Sequence, residues 1–336
     1  MKKRNRREPL FALALALCAA LLLQLAGAAL RPAHDTYGST WRAYLAEPPQ
    51  SVDVLYLGSS YAYCDINPAV IYDETGLTGY VMGGSEQTLA LTYWYLKEAL
   101  RTQSPSAVVL EISGLWFKPY QAFTQINVGY MPFSPNKLGA VFTASEPGLR
   151  LGLLWDLYFY HSRWKEVTPE DIRRAFSPAK PDFYKGFTPA VGVFDQTGQG
   201  PFVTPSAQPE EVYADNLAWL GKIAALCRAE GITPVFTFNP TYSQRTAAEY
   251  ARARSDVEAL GADLLLYDWS GCFAPLGLDP DRHLYDGGHL NREGAEIFSR
   301  RLGRLLADEL GVTPRPQSGD NAAAWAAAAR HWLEHA

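Results

Sequence analysis

The sequence predicts an α/β fold in which helices cover both faces of a parallel sheet, giving a three-layer α/β/α sandwich preceded by one transmembrane helix. Short apolar runs alternate with amphipathic helical patterns along the chain, as they do in parallel sheets. A much longer apolar run stands near the N-terminus. With 336 residues, of which 48% are hydrophobic, the chain is long enough to bury a large core.

The N-terminal apolar run has the length of a membrane span. Residues 10–30 are almost all Leu and Ala, and at about 1.5 Å per residue they extend roughly 31 Å, which matches the hydrocarbon core of a bilayer. The flank at residues 2–7 carries five cations, which the positive-inside rule keeps in the cytoplasm. This pattern predicts a single-pass protein of the cell membrane whose body is extracytoplasmic.

Two interpretations of this segment remain open. The small residues Ala26-Gly27-Ala28 also fit a signal-peptide cleavage site. The apolar run is longer than a usual signal-peptide core, which favours an uncleaved anchor over residues 1–31, followed by a linker over residues 32–50.

Five apolar segments are predicted to form the strands of the body. They are short, rich in aliphatic and aromatic residues, and bounded by glycine or polar turns. In chain order these strands are 52–57, 79–82, 107–112, 234–238 and 263–269. Amphipathic patterns predict helices at about 86–101, 214–229, 247–260 and 292–310. The alternation defines one domain over residues 51–312.

The regular pattern is lost between the third and fourth strands. Residues 113–211 are rich in Pro, Gly and aromatic residues and are too long for a simple loop, so we interpret them as an insertion or cap over the functional site. The tryptophans Trp116, Trp155 and Trp164 either stack on a ligand or form the core of the insertion itself. Residues 313–336 predict a linker and an Ala-rich helix, whose role the sequence does not indicate.

Charge and composition exclude some classes of partner. The net charge is −5, and removing the five cations of residues 2–7 from that value leaves −10, with no block of Lys and Arg in the body. Nucleic acid is therefore not an expected partner, because phosphate binding needs clustered cations. No group of His, Cys and carboxylate residues has metal-ligand spacing, so neither a metal nor an organic cofactor is expected.

A serine follows the first strand at the position where open α/β sheets build their sites. The turn Gly58-Ser59-Ser60 leads from this strand toward a helix that begins near Asn67-Pro68, which places the Ser60 hydroxyl at the carboxyl end of the strand. Glycine and serine are also common in turns with no chemical role, so Ser60 alone indicates little.

An acid and a histidine three residues apart stand immediately before the last helix. In Asp286-Gly287-Gly288-His289, the two glycines allow a turn that brings the carboxylate to the imidazole Nδ1 and leaves Nε2 free to accept a proton from a serine. Alternatively, either residue caps the helix that follows.

Two glycines follow the second strand. The segment Gly83-Gly84-Ser85-Glu86-Gln87 either presents backbone N–H groups to an oxyanion or simply forms a turn. Serine after the first strand, glycines after the second and Asp/His before the last helix all fall at one edge of a parallel sheet. This order favours one joint site over three unrelated turns.

The order of these motifs resembles that of the SGNH (GDSL-like) hydrolase superfamily over residues 53–112 and 233–310. The resemblance implies a flavodoxin-like sandwich in which Ser60 is the nucleophile, His289 the general base and acid, and Asp286 its orienting partner. The backbone amides of Ser60 and Gly84 would be the oxyanion donors.

The chain departs from the usual superfamily pattern at two positions. Ser59 stands where many members have Asp, and Leu110-Glu111-Ile112-Ser113 ends the third strand in place of a Gly-x-Asn-Asp motif. These departures resemble membrane-anchored bacterial members that act on cell-surface polymers, as in alginate acetylation and teichoic-acid D-alanylation. In such a protein Gln87 would replace the missing Asn as an oxyanion donor.

The subgroup resemblance also suggests four residues that contact or orient the substrate. Within Tyr160-His161-Ser162-Arg163-Trp164, the side chains of His161, Arg163 and Trp164 match a subgroup feature, and Glu111 would orient groups at the sheet edge. The alternatives are a packed aromatic segment and a simple strand end.

The activity that the resemblance implies is that of an extracytoplasmic serine esterase or O-acyltransferase. An acyl group would pass to Ser60 and then to a hydroxyl of a cell-surface polysaccharide or polyol. Water as the acceptor would make the protein an esterase, and a catalytically inactive scaffold or glycan-binding partner is a third interpretation. The expected partners are the acyl donor, the glycan or polyol acceptor and a polytopic membrane acyltransferase.

Overall fold

The central sheet of the protein is parallel. The computed structural model describes residues 7–32, 40–179, 182–195 and 200–335. Its strands are β1 Val54–Gly58, β2 Gly79–Gly83, β3 Ala107–Glu111, β4 Phe202–Val203, β5 Thr233–Phe238, β6 Ser243–Gln244 and β7 Leu265–Asp268. Five of them form one parallel sheet in the order β2-β1-β3-β5-β7, and β4 pairs separately with β6. The predicted α/β class with a parallel sheet is confirmed.

Helices precede, interrupt and follow the sheet. Up to β3 they are α1 Arg7–Leu30, α2 Trp41–Tyr44, α3 Ser60–Asp65, α4 Pro68–Thr75 and α5 Leu89–Ala99. Between β3 and β5 they are α6 Gln121–Gly129, α7 Pro135–Thr143, α8 Arg150–Leu154, α9 Asp156–Tyr160, α10 Pro169–Phe176 and α11 Glu210–Glu230. After β5 they are α12 Ala247–Leu260, α13 Phe273–Leu276, α14 Pro280–His283, α15 Arg292–Arg304 and α16 Gly319–His335.

Helices cover both faces of the sheet because each strand is apolar on both sides. Successive side chains of a strand point to opposite faces. In β1, Leu55 and Leu57 belong to the apolar cluster that includes α5 and α11, whereas Val54 and Tyr56 belong to the cluster that includes α4 and α15. The body therefore has three layers, with the sheet in the middle.

The C-terminal tail is a structural part of the body. Helix α16 packs on α4, with Trp325 fully buried. Upstream of it, Arg315 Nε donates to Asp53 Oδ1 at 2.8 Å, and the other oxygen of Asp53 accepts from the Thr78 amide at 3.0 Å. The tail is thus bound to the amino ends of β1 and β2. The described part of residues 313–336, whose role the sequence does not indicate, therefore packs as part of the body.

Helix α1 meets the criteria for a membrane span by length and composition. Its segment Glu8–Leu30 is long and apolar enough to cross a membrane. Near the end of the helix, Gly27 packs tightly on α9, since a Cβ there would lie 3.1 Å from Asp156 Cβ. Residues 2–6 of the predicted cationic flank and residues 33–39 of the predicted linker lie outside the described residues.

The insertion at residues 113–211 folds into short helices with two different neighbours. Helix α7 packs on α5 of the body, whereas α9 and α10 pack on α1. The second half of the insertion returns across the carboxyl edge of the sheet, where the Thr188 amide donates to Tyr63 O at 2.7 Å. Within the described residues, only part of the insertion therefore borders the predicted site.

Candidate active site

The turn after β1 exposes one serine and buries the other. Gly58 has a φ of 142° and lies so close to β3 that a Cβ would approach Glu111 O to 3.1 Å, so this position requires glycine. Ser59 is buried and is the N-cap of α3, where its Oγ accepts from the Tyr61 amide. Ser60 is the first residue of α3, and its hydroxyl is left facing the edge of the sheet.

The turn before α15 holds an acid against a histidine. Asp286 Oδ1 accepts from the backbone amides of Gly288 at 2.7 Å and His289 at 2.8 Å. His289 Nδ1 lies 2.9 Å from Asp286 Oδ1. Burial by itself would raise the pKa of Asp286, but these hydrogen bonds and the neighbouring imidazole outweigh it, so the pKa lies below its ordinary value. Asp286 is therefore an ionised acceptor that fixes the orientation of the ring.

The structure brings the serine and the histidine together across the fold. His289 Nε2 lies 2.7 Å from Ser60 Oγ, although the two residues are 229 positions apart in the chain. The ring of Tyr61 stacks on the imidazole, with the ring centroids 5.2 Å apart. Ser60, His289 and Asp286 thus form a continuous chain of hydrogen bonds, in the geometry required of a serine nucleophile, its base and an orienting acid.

Two polar residues that the sequence did not single out support this arrangement. Asp65, at the end of α3, accepts from the Leu290 amide at 3.0 Å and so links the serine helix to the histidine turn. Asn239 donates through Nδ2 to Tyr61 O at 2.9 Å. Asn239 follows β5 at the same carboxyl edge and could have been proposed from that position alone. Asp65 has no comparable sequence signal, because it lies inside a short helix.

Glu111 lies beneath the Gly58–Ser60 turn, where it contacts Ser59. Its carboxylate accepts from the Ser113 amide at 2.9 Å and from the Ser59 hydroxyl at 3.4 Å. Full burial raises its pKa to about 7, and the hydrogen bonds from Ser113 and Ser59 offset only part of that effect. The expectation that Glu111 orients groups at the sheet edge agrees with these contacts.

The two oxyanion donors expected after β2 are occupied within the fold. The Gly84 amide donates to Gly58 O at 3.2 Å, because the pairing of β1 with β2 continues one residue beyond the strands. Gln87 is buried, and its Nε2 donates to Thr92 Oγ1 at 3.0 Å and to Met82 O at 3.4 Å. The expectation that Gly84 and Gln87 donate to an oxyanion is therefore wrong for the described conformation.

A packing role explains the glycine at position 84. A Cβ on Gly84 would lie 2.4 Å from Asn127 Oδ1, and the side chain of Asn127 donates through Nδ2 to Ser85 O at 3.0 Å. Ser60 carries the first amide of α3, and helices leave their first amides without an intrahelical acceptor, so the oxyanion role of this amide stays a prediction.

The three insertion residues expected at the substrate lie instead at the end of α1. Arg163 donates to the Leu30 carbonyl, and the 3-10 turn that contains His161 and Trp164 packs on α1. His161 Nδ1 is paired with Tyr158 O at 3.0 Å. These contacts show that the segment packs on the N-terminal helix, and the expectation that His161, Arg163 and Trp164 bind substrate stays a prediction.

Aromatic residues beside the predicted site differ from those expected. Trp116 is buried and stacks on Phe238, so it belongs to the core. Tyr285 is 47% exposed, and its amide donates to His289 O at 2.9 Å. Phe202 lies against Gly287. The ring that lies on the His289 imidazole is thus that of Tyr61, and Tyr285 and Phe202 flank the turn that carries the histidine.

No protein-family model matches the sequence, and a search of curated protein sequences finds no relative. The function therefore has to be inferred from the chemistry of the site.

We predict that replacing Glu111 changes how stability depends on pH. A carboxyl group with a raised pKa in the folded protein holds its proton more tightly there than in the unfolded chain. The free energy of unfolding therefore falls as the pH rises from the ordinary pKa of the group to its pKa in the folded protein. Glu111→Gln removes that penalty. Its free energy of unfolding relative to wild type should rise by up to about 3 kcal/mol between about pH 5 and about pH 8, measured by chemical denaturation of the full-length protein.

The matched control is Glu230→Gln, at an exposed glutamate that ends α11. Its stability relative to wild type should be the same at both pH values. A flat pH dependence for Glu111→Gln would show that Glu111 does not carry the raised pKa.

Proposed function

We propose that this protein is a serine esterase or O-acyltransferase that works through an acyl-Ser60 intermediate. The observation that carries the proposal is the hydrogen-bonded chain of Ser60, His289 and Asp286, with distances of 2.7 Å and 2.9 Å. The order of these residues on a parallel sheet also supports an SGNH-like fold, since the nucleophile follows β1 and the Asp/His turn precedes α15. Acyl transfer is the reaction that such a chain performs.

The reaction needs two acyl-transfer steps. Ser60 Oγ attacks the carbonyl carbon of an acyl donor while His289 Nε2 accepts the serine proton, and the same proton then passes to the leaving alcohol or amine. In the second step His289 accepts a proton from the acceptor hydroxyl, whose oxygen attacks the acyl carbon. The ester bond to Ser60 Oγ then breaks, and His289 passes the proton to that oxygen, which restores the serine. Asp286 stays ionised and stabilises the charged imidazole, and the Ser60 amide donates to the oxyanion.

We propose a carbohydrate or polyol hydroxyl as the acceptor. The exposed ring of Tyr285 precedes Asp286 in the chain and Phe202 lies against Gly287, so two exposed aromatic side chains flank the Asp286–His289 turn and would offer a surface to the apolar face of a sugar. A surface that positions an alcohol favours it over water, since orientation alone contributes several kcal/mol. The acyl donor would come from a polytopic membrane acyltransferase or from a soluble ester.

We also propose that α1 anchors the protein in the cell membrane with its body outside the cytoplasm. The support is the apolar helix Glu8–Leu30 together with the five cations of residues 2–7.

Replacing Ser60 should abolish formation of the acyl-enzyme. Intact-protein mass spectrometry after exposure to an activated acyl ester should show the mass of one acyl group on the wild-type protein and none on Ser60→Ala. Folding should change little, because a half-exposed hydroxyl contributes little to stability. The adjacent Ser59→Ala is the matched control. It should still be acylated, although it loses an N-cap worth about 1 kcal/mol, and acylation of Ser60→Ala would refute the proposed nucleophile.

The acceptor can be identified by a partition experiment. With an acyl donor and a candidate glycan, the amount of acylated glycan should exceed that of free acid, and Tyr285→Ala should lower that ratio roughly fivefold if the ring contributes about 1 kcal/mol. The control is Tyr120→Ala, at an exposed aromatic residue that lies in the insertion, and it should leave the ratio unchanged. Free acid that accumulates at one rate with and without every acceptor tried would favour the esterase interpretation.

The proposed topology predicts that protease added to intact cells removes the body of the protein. Immunoblotting should show loss of the full-length chain, while a cytoplasmic control protein survives. If the body is protected in intact cells and cleaved only after lysis, the orientation is the opposite.

A further inference from the structure

A cavity lies where the end of α1 meets the body. It has a volume of about 300 Å³ and is bounded on one side by Gln24 and Arg31 of the N-terminal segment. Lys137 of α7, Asp156 of α9 and Arg42 of α2 also line it. The cavity shares no described lining residue with the Ser60 site.

The charged residues that line the cavity leave an excess of positive charge. Asp156 is the one carboxylate among the described lining residues, and Arg31 Nε already donates to it at 2.9 Å. Lys137 is only 3% exposed, and its ammonium donates to a neutral acceptor, the carbonyl of Gly129, at 2.8 Å. Three cations against one carboxylate leave a surplus of two positive charges.

The surroundings of Lys137 favour the binding of an anion beside it. Burial and, to a smaller extent, the nearby Arg31 guanidinium lower the pKa of its ammonium group to about 8, and Asp156 offsets only part of their effect. An ammonium group has three N–H donors, of which the Gly129 carbonyl takes one. An anion in the cavity would both pair with the charge and accept the remaining hydrogen bonds.

The cavity reaches the depth at which lipid headgroups meet the hydrocarbon core. Gln24 precedes Arg31 by seven residues, or about 10 Å along a helix axis. Because α1 is the candidate membrane span up to Leu30, the cavity extends from the end of that span into its last turns. Gly27 packs closely on α9 at the same level, which fixes the body beside α1.

The surroundings of the cavity are apolar and aromatic. Phe133 lines it and is 71% exposed, and Leu154 and Met131 line its wall. Trp155, at the start of α9, and Trp164, in the turn that packs on α1, are also exposed on this side. Exposed aromatic residues beside a membrane span are typical of the bilayer interface.

We propose that this cavity binds the anionic phosphate headgroup of a membrane lipid. Lys137 and Arg31 would donate charge-assisted hydrogen bonds to the phosphate oxygens. The acyl chains would lie along α1 and Phe133, where apolar surface is already exposed. A free phosphate ion shares the headgroup chemistry but makes no use of the apolar wall, so the lipid is the better match. This inference rests on the proposed membrane anchoring by α1 and not on the proposed acyl transfer.

Native mass spectrometry of the full-length protein in detergent tests the proposal. Phosphatidylglycerol, phosphatidylcholine and inorganic phosphate are added separately, so that an anionic lipid, a zwitterionic lipid with the same phosphate and the free ion are compared. The protein should retain phosphatidylglycerol with an apparent affinity at least about tenfold higher than for either of the other two. Equal retention of both lipids, or displacement of phosphatidylglycerol by an equal concentration of inorganic phosphate, would overturn the proposal.

Variants locate the binding to the cavity. Lys137→Met should reduce the retention of phosphatidylglycerol about tenfold, whereas Lys222→Met, at an exposed lysine of α11, should not change it. Arg42→Gln changes an exposed residue outside the core and should reduce the retention of phosphatidylglycerol about threefold. This second variant keeps the test valid even if Lys137→Met folds poorly. Wild-type retention in both cavity variants would contradict the proposal.

Discussion

A buried carboxylate holds the two parts of the candidate active site in register. Asp65 ends the helix that Ser60 begins, and its Oδ1 accepts from the amide that follows His289. Ser60 and His289 are 229 positions apart in the chain, so the 2.7 Å distance between Ser60 Oγ and His289 Nε2 depends on contacts that fix α3 against the turn that carries His289. Asn239 reinforces the same contact from β5 by donating to both Tyr61 O and Asp65 Oδ2. The geometry of the site therefore depends on buried polar residues that need not touch a substrate.

The buried acids around the site differ in their electrostatic environment, and the difference places the negative charge. Burial raises the pKa of Asp65 well above its ordinary value and that of Glu111 to about 7. Asp286, which receives two backbone amides and the imidazole, has a lowered pKa instead. Charge is thus favoured at Asp286, beside the imidazole of His289, and disfavoured at Asp65 and Glu111. Similar carboxyls acquire different roles because their hydrogen-bond donors differ.

The sequence was sufficient for features encoded by neighbouring residues and insufficient for those that depend on distant partners. Each strand of the large sheet and the Asp286/His289 turn could be predicted because an apolar run or a short motif specifies them locally. The roles expected for Gly84 and Gln87 failed because no pattern shows that Gly58 and Thr92 already accept their hydrogen bonds. The packing of 161–164 on α1 was equally hidden, since it joins segments more than a hundred residues apart.

One short helix connects the candidate active site to the N-terminal helix. Asn127 in α6 donates to Ser85 O, at the carboxyl edge of the sheet near Ser60. Three residues later, the Tyr130 hydroxyl donates to Pro32 O, just beyond α1. Three helical residues span about 5 Å, so a contact at the sheet edge and a contact at the end of α1 are rigidly coupled. The insertion therefore sets the distance between Ser60 and the end of the candidate membrane span. If α1 is embedded in a bilayer and the protein transfers acyl groups as proposed above, this distance limits the acceptors to hydroxyls that lie close to the membrane surface.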